Sequence, residues 1–125
     1  MPHTFRLRPP RAPKPRENDV EKQLKDWLLA RGWYPVRQQS GLLKTLYGRF
    51  VRIGEVGIPD YVVLHARYPA FFLETKAPGR SLSPEQERKR WVIQAAYGLR
   101  VAVADGLETL KPWLEDHERL AKEQV

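Results

Sequence analysis

Gly57-Ile58-Pro59-Asp60-Tyr61-Val62-Val63-Leu64 and Ala70-Phe71-Phe72-Leu73-Glu74-Thr75-Lys76 are the two runs that decide how this chain folds. Each carries four consecutive apolar residues beside turn-forming neighbours, the pattern of a strand. His65-Ala66-Arg67-Tyr68-Pro69 lies between them, a connection short enough to predict an antiparallel pair. The hairpin turn then sits at one end and the functional residues at the other, with the start of the first strand beside the end of the second. Asp60 is thereby expected next to Glu74. Residues two apart on a strand share a face, so Glu74 and Lys76 point together and Thr75 points away.

Upstream, Asn18-Asp19-Val20-Glu21 has the form of a helix start, and Val20, Leu24, Trp27 and Leu28 recur at helical spacing until Gly32. Residues 34–39 read as a short strand, 40–48 as a loop with two glycines, and 49–53 as a second extended piece. Residues 54–59 then turn the chain into the Asp60 strand. Downstream, 78–82 form a loop, and Ser83-Pro84-Glu85-Gln86 opens a second helix that runs to about Tyr97, where Gly98 stops it. Residues 99–104 are a further strand. Asp105 caps a final helix with an apolar stripe of Leu107, Leu110, Trp113 and Leu114, which Pro112 is expected to kink or restart. Helix, three or four strands, helix, strand and helix predict an α/β fold, a central mixed sheet flanked by helices.

A chain of 125 residues, 42% hydrophobic, can bury one compact core. Cysteine is absent, which excludes a disulfide framework and thiolate metal sites. No apolar run approaches a bilayer span, and the N-terminus lacks the apolar core of a signal peptide, so a cytoplasmic protein with no membrane association is expected. Arg6, Arg8, Arg11, Lys14 and Arg16 supply most of the +7 net charge, and no acid accompanies them. Residues 1–16 therefore read as a basic, proline-rich extended arm ahead of a catalytic domain at 17–125. Such an arm can follow a phosphate backbone by counterion release, or can serve only as a solubilising tail.

Phosphodiester hydrolysis needs an activated water, neutralised phosphate charge and a stabilised leaving oxygen. Mg²⁺ or Mn²⁺ supplies all three when oxygen ligands fix it. Asp60, Glu74 and the Thr75 main-chain carbonyl are natural ligands, and Lys76 would orient or deprotonate the water and offset charge on phosphorus. The plainer reading is a strand-end salt bridge. Such surface pairs contribute only about 0–1 kcal/mol, which gives no reason for Glu74 and Lys76 to follow four apolar residues.

Glu21 could belong to an Asn-x-x-Glu capping box, yet at about 100° per residue it falls near Leu28 at the edge of the buried stripe, within reach of the sheet. Gln86 has the same double reading through Ser-x-x-Gln. Arg80 and the run Arg88-Lys89-Arg90 lie close to the site, as phosphate contacts or as a solvated helix face. His3, His65 and His117 fit no zinc spacing.

Gly57-Ile58-Pro59-Asp60, Glu74-Thr75-Lys76 with Pro78-Gly79, and Leu82-Ser83-Pro84-Glu85-Gln86 together resemble the VRR-NUC (virus-type replication-repair nuclease) family of the PD-(D/E)XK nuclease superfamily. The resemblance spans roughly residues 21–104, including a segment at 37–41 and a glycine followed by a strand at 98–103. It implies the restriction-endonuclease-like fold, ordered α-β-β-β-α-β and followed here by a C-terminal helix. It implies a metal-dependent endodeoxyribonuclease with Glu21, Asp60, Glu74, Lys76 and Gln86 as catalytic residues, Glu21 joining Asp60, Glu74 and Thr75 around the ion. Gln38-Gln39 departs from the asparagine expected in many relatives. Arg37, Arg80, Arg88, Lys89 and the arm's basic residues are the expected DNA contacts.

Stand-alone members resemble Holliday-junction resolvases that act as homodimers, so four-way or other branched DNA is the expected substrate, in repair or recombination. A homodimer would also use Leu107, Leu110, Trp113 and Leu114 with Leu42, Leu43, Leu46 and Tyr47 as its apolar surface. The alternatives are a flap, nicking or restriction-like nuclease and a non-catalytic DNA-binding module.

Overall fold

The computed structural model describes residues 17–38, 41–44, 50–53 and 57–123. Helix α1 (Glu17–Ala30) forms because Val20, Leu24 and Leu28 recur every fourth residue and make one buried stripe. Gly32 ends it in the left-handed region, φ +85°. Helix α1 starts at Glu17, so Asn18 lies within it.

Strands β1 (Tyr34–Arg37), β2 (Gly41–Lys44), β3 (Phe50–Ile53), β4 (Tyr61–Leu64) and β5 (Phe71–Thr75) follow. Helix α2 (Pro84–Tyr97), strand β6 (Val101–Ala104) and helix α3 (Leu107–Glu123) complete the chain. The main sheet has the order β1-β4-β5-β6. Strand β5 pairs antiparallel with β4 in the expected hairpin and parallel with β6, which makes the sheet mixed. α2 is the crossover that a parallel neighbour requires. Strands β2 and β3 form a separate two-stranded sheet. The loop expected over 40–48 therefore contains a strand. Its glycines suggested a turn, but pairing with β3, Leu43 opposite Val51, gives Leu42-Leu43 an extended partner that local propensity does not reveal. The three strands that precede α2 in the main sheet are thus β1, β4 and β5, with a hairpin inserted.

Cross-strand partners share a face, so the register Tyr61 with Leu73 and Leu73 with Ala102 sorts the sheet into two sides. On one side Tyr61, Val63, Phe71, Leu73, Ala102 and Ala104 join the α1 stripe, Trp33, Leu110 and Leu114 in a single core. On the other side lies α2, whose one buried residue is Ile93.

Helix α3 passes through Pro112 as one element. Pro112 is exposed, and Leu110 and Leu114 on either side are fully buried. Burying such a side chain contributes about 1.5–3 kcal/mol each, enough to offset the roughly 3 kcal/mol cost of an interior proline. The same burial corrects the expected dimer surface. Leu110 and Leu114 lie in the monomer's core, Leu107 and Trp113 pack against it, and that stripe is not available to a second copy. Leu46 and Tyr47 lie outside the described residues. Among the described residues no helix is long and apolar enough to cross a membrane.

His117 anchors the far end of this core. Its ring stacks on Trp113 at 5.1 Å and meets Phe71 edge-on. Nε2 lies 2.8 Å from the Pro69 carbonyl oxygen, which only accepts, so Nε2 carries the proton and Nδ1 accepts from Arg100 at 3.4 Å. Burial, seconded by the Arg100 charge, lowers its pKa below the ordinary 6.5. The unfolded chain then binds a proton at a higher pH than the native protein does. Stability is accordingly full above the ordinary histidine range and is lost as pH falls below about 6.5. Urea unfolding between pH 8 and pH 5 should show this loss, and a His117→Gln variant, less stable at pH 8, should show a shallower one.

Candidate active site

The site begins where the β4–β5 ladder ends. Continuing the register from Tyr61 and Leu73 places Thr75 opposite Pro59, which has no N–H to donate. The Thr75 N–H donates to Asp60 Oδ2 at 2.9 Å, and the Thr75 hydroxyl donates to the same oxygen at 2.8 Å. The Asp60 carboxylate thus stands where a ladder carbonyl would have been. A strand residue's own N–H and C=O point the same way, so the Thr75 carbonyl faces this end of the sheet with a proline opposite it.

Glu74, one residue back and on the other face, is 3% exposed. Its carboxylate accepts from the Asp60 N–H at 3.2 Å through Oε2 and from the Gln86 amide at 2.8 Å through Oε1. Lys76 Nζ lies 3.7 Å from Oε1 with its side chain 15% exposed. Asp60, Glu74, Lys76 and Gln86 are therefore brought together as the sequence predicts.

Gln86 holds its place through a capping box. Its Oε1 accepts from the Ser83 N–H at 2.9 Å and its own N–H donates to Ser83 Oγ at 3.2 Å, with Pro84 in the first turn. Gln86 thus caps α2 through its Oε1 and bonds Glu74 through its Nε2, the two ends of one amide. Gly57 sets the distance between the Asp60 segment and this helix start. It has φ +84°, and a Cβ there would lie 2.8 Å from the Glu85 main-chain carbon and oxygen.

Glu21 occupies a second cluster. Its Oε1 accepts from the Tyr61 hydroxyl and from Arg37 Nη1, and Arg37 also donates to the Tyr61 oxygen at 3.2 Å. With its side chain 14% exposed, Glu21 reaches the sheet from the edge of the α1 stripe, as its angular position predicts. Burial first, then the bond to Glu21, pushes the Tyr61 phenol up to about 12. The bond to Tyr61 and the Glu21 charge raise the Arg37 guanidinium above its ordinary value. Tyr61 was missed as a site residue because it opens an apolar run. The available signal was its hydroxyl, which needs a partner once the ring is buried.

Among the described residues no three acids or histidines come together as a ready ligand set, since Glu21 sits with Arg37 and Tyr61. Arg80 and Arg88 are exposed, Lys89 is half-buried on α2, and the arm residues Arg6, Arg8, Arg11, Lys14 and Arg16 lie outside the described residues. The donors at the sheet end suit a hard cation nonetheless. Two carboxylates and a main-chain carbonyl facing a proline are oxygen ligands, and Mg²⁺ commonly takes one or two carboxylates and fills its shell with water and substrate phosphate. Searches against protein-family models and against curated proteins find no match to the chain.

Two outcomes follow from this geometry. Gly57→Ala combines backbone strain with a clash against the α2 start, whereas Gly79→Ala, φ +81° with nothing within 4 Å of the added carbon, brings strain alone. Chemical denaturation should show a loss of about 1–3 kcal/mol for Gly79→Ala and a larger one for Gly57→Ala. In a spectrophotometric titration, the phenolate difference between wild type and Tyr61→Phe should stay near zero at pH 10 and grow only toward pH 12.

Proposed function

We propose that the chain is a divalent-metal-dependent DNA endonuclease of the PD-(D/E)XK type that cuts branched DNA, four-way junctions first. The observation that carries this reading is the convergence of two carboxylates, a lysine and a glutamine at the C-terminal end of β5, beside its parallel neighbour β6. Ligand sites of α/β sheets form outside that end of parallel strands. The order helix, strands, helix and strand in the main sheet, with α2 as crossover, agrees with the fold that the resemblance implies.

Asp60, Glu74 and the Thr75 carbonyl would hold Mg²⁺ or Mn²⁺. When bound, the ion acidifies a water and neutralises phosphate charge. Lys76 points from the same face as Glu74, where it orients the attacking water and offsets charge building on the phosphate. Gln86 fixes the rotamer of Glu74, and Asp60 is fixed by Thr75. Arg37, with its side chain 58% exposed, spends one nitrogen on Glu21 and Tyr61 and keeps other donors for a neighbouring phosphate. A homodimer would have to pair through a surface other than α3. Trp91 and Tyr97 on α2, with Leu29, Tyr34 and Leu64, are exposed large apolar residues among the described ones.

The test is a panel of four-way, flapped, nicked and linear DNAs with each metal in turn. Asp60→Asn, Glu74→Gln and Lys76→Ala should each lower turnover by roughly 100-fold or more, with DNA binding and circular dichroism retained. Near wild-type turnover in any one of them removes that residue from the centre, and no cleavage of any DNA with either metal would leave only a binding module.

A further inference from the structure

Helix α2 turns a polar stripe toward the sheet. Gln86, Lys89, Arg90 and Ile93 recur at the spacing of one helix face, and they are the four positions of α2 with reduced exposure, Ile93 alone being apolar. A helix docked on a sheet for stability alone puts apolar side chains there. Gln86 is explained by its bond to Glu74. Arg90 makes no such bond through its Nε–H, which is shielded from solvent and finds no hydrogen-bond partner among the described residues. A buried donor without an acceptor costs stability that a methionine at this position would not, so the fold alone does not account for an arginine here.

The position narrows the role of the guanidinium. Arg90 lies one turn beyond Gln86, and helical side chains lean toward the N-terminus, so its side chain extends over the Gln86 turn toward the Glu74 and Lys76 end. A guanidinium fork matches the oxygens of a phosphate, and the one anion that the proposed reaction brings to this end is the nucleic-acid backbone. We infer that Arg90 is a positioning residue that holds a substrate phosphate next to the scissile one. This rests on the nuclease reading above.

The experiment uses the full chain with Ca²⁺ replacing Mg²⁺ to arrest cleavage, and a four-way junction in a salt series. Arg90→Met, which keeps the apolar stem, should reduce the log–log salt slope by about one unit and weaken binding about tenfold. Its melting temperature should stay level or rise, because the unpaired donor is gone. Arg90→Lys should regain the slope. With Mg²⁺, KM should rise in Arg90→Met while kcat changes little. A neutral methylphosphonate beside the cleavage position should weaken binding by wild type and not by Arg90→Met.

Destabilisation of Arg90→Met with an unchanged slope would show a structural role and overturn the inference. Equal methylphosphonate penalties in wild type and variant would overturn it as well. Wild type that neither binds nor cuts DNA would remove the nuclease reading, and the inference with it. That pattern is distinct from an active enzyme indifferent to Arg90.

Discussion

A glutamate carboxylate withdrawn almost wholly from water is the constraint around which this end of the molecule is built. An isolated buried charge costs far more than a domain of this size has in reserve, so Glu74 survives only with donors on its oxygens. Gln86 supplies one, the Asp60 main chain another, and Lys76 adds an opposite charge. Gln86 can reach only if α2 starts where it does, which the Ser83 capping box fixes. The Ser83 turn can lie there only because Gly57 passes Glu85 without a side chain. Gly57-Ile58-Pro59-Asp60 and Ser83-Pro84-Glu85-Gln86 are far apart in the chain, yet they are two halves of one support.

Proline makes the opening in that support. Had residue 59 carried an N–H, the β4–β5 ladder could have run one pair further and enclosed Thr75. With Pro59 the ladder stops, Asp60 bends out of it, and a carboxylate takes over the Thr75 N–H that a carbonyl would have accepted. The acid and the Thr75 carbonyl are thereby left at a strand end, oriented by backbone geometry and not by loop packing. Such placement costs little side-chain entropy, since Asp60 is already fixed by two donors from Thr75.

Much of this was legible in the sequence because it is local. Helix α2 runs from its serine cap to Gly98 as the capping and stop signals predict, and the short connection after Leu64 correctly implied an antiparallel pair with Asp60 beside Glu74. What escaped depends on partners distant in sequence. Strand β2 exists because β3 pairs with it, not because Gly41-Leu42-Leu43-Lys44 favours extension. Pro112 looked like a break because the burial of Leu110 and Leu114 around it is a tertiary fact. The α3 stripe looked like surplus for the same reason, since the size of the α1 and α3 core cannot be read from either helix alone. Glu21 was placed at the right edge of its helix, but its partners Arg37 and Tyr61 come from two other elements and neither follows from helical periodicity.

The two faces of the sheet differ in what they bury. On the α1 and α3 side, Leu24, Leu28, Val63, Phe71, Leu73, Leu110 and Leu114 are fully buried and interlock with Trp33 and the stacked Trp113 and His117. Truncating any of the leucines there costs about 2–5 kcal/mol, a large share of a small domain's stability. On the α2 side one buried isoleucine holds a helix whose inner stripe is otherwise polar. Among the described residues, hydrogen bonds of Gln86 to Glu74 and of the Val101 N–H to Gln94 also tie it to the sheet. An element held by so few apolar contacts opens more readily than the core, while the strands that carry Asp60 and Glu74 stay fixed by the opposite face.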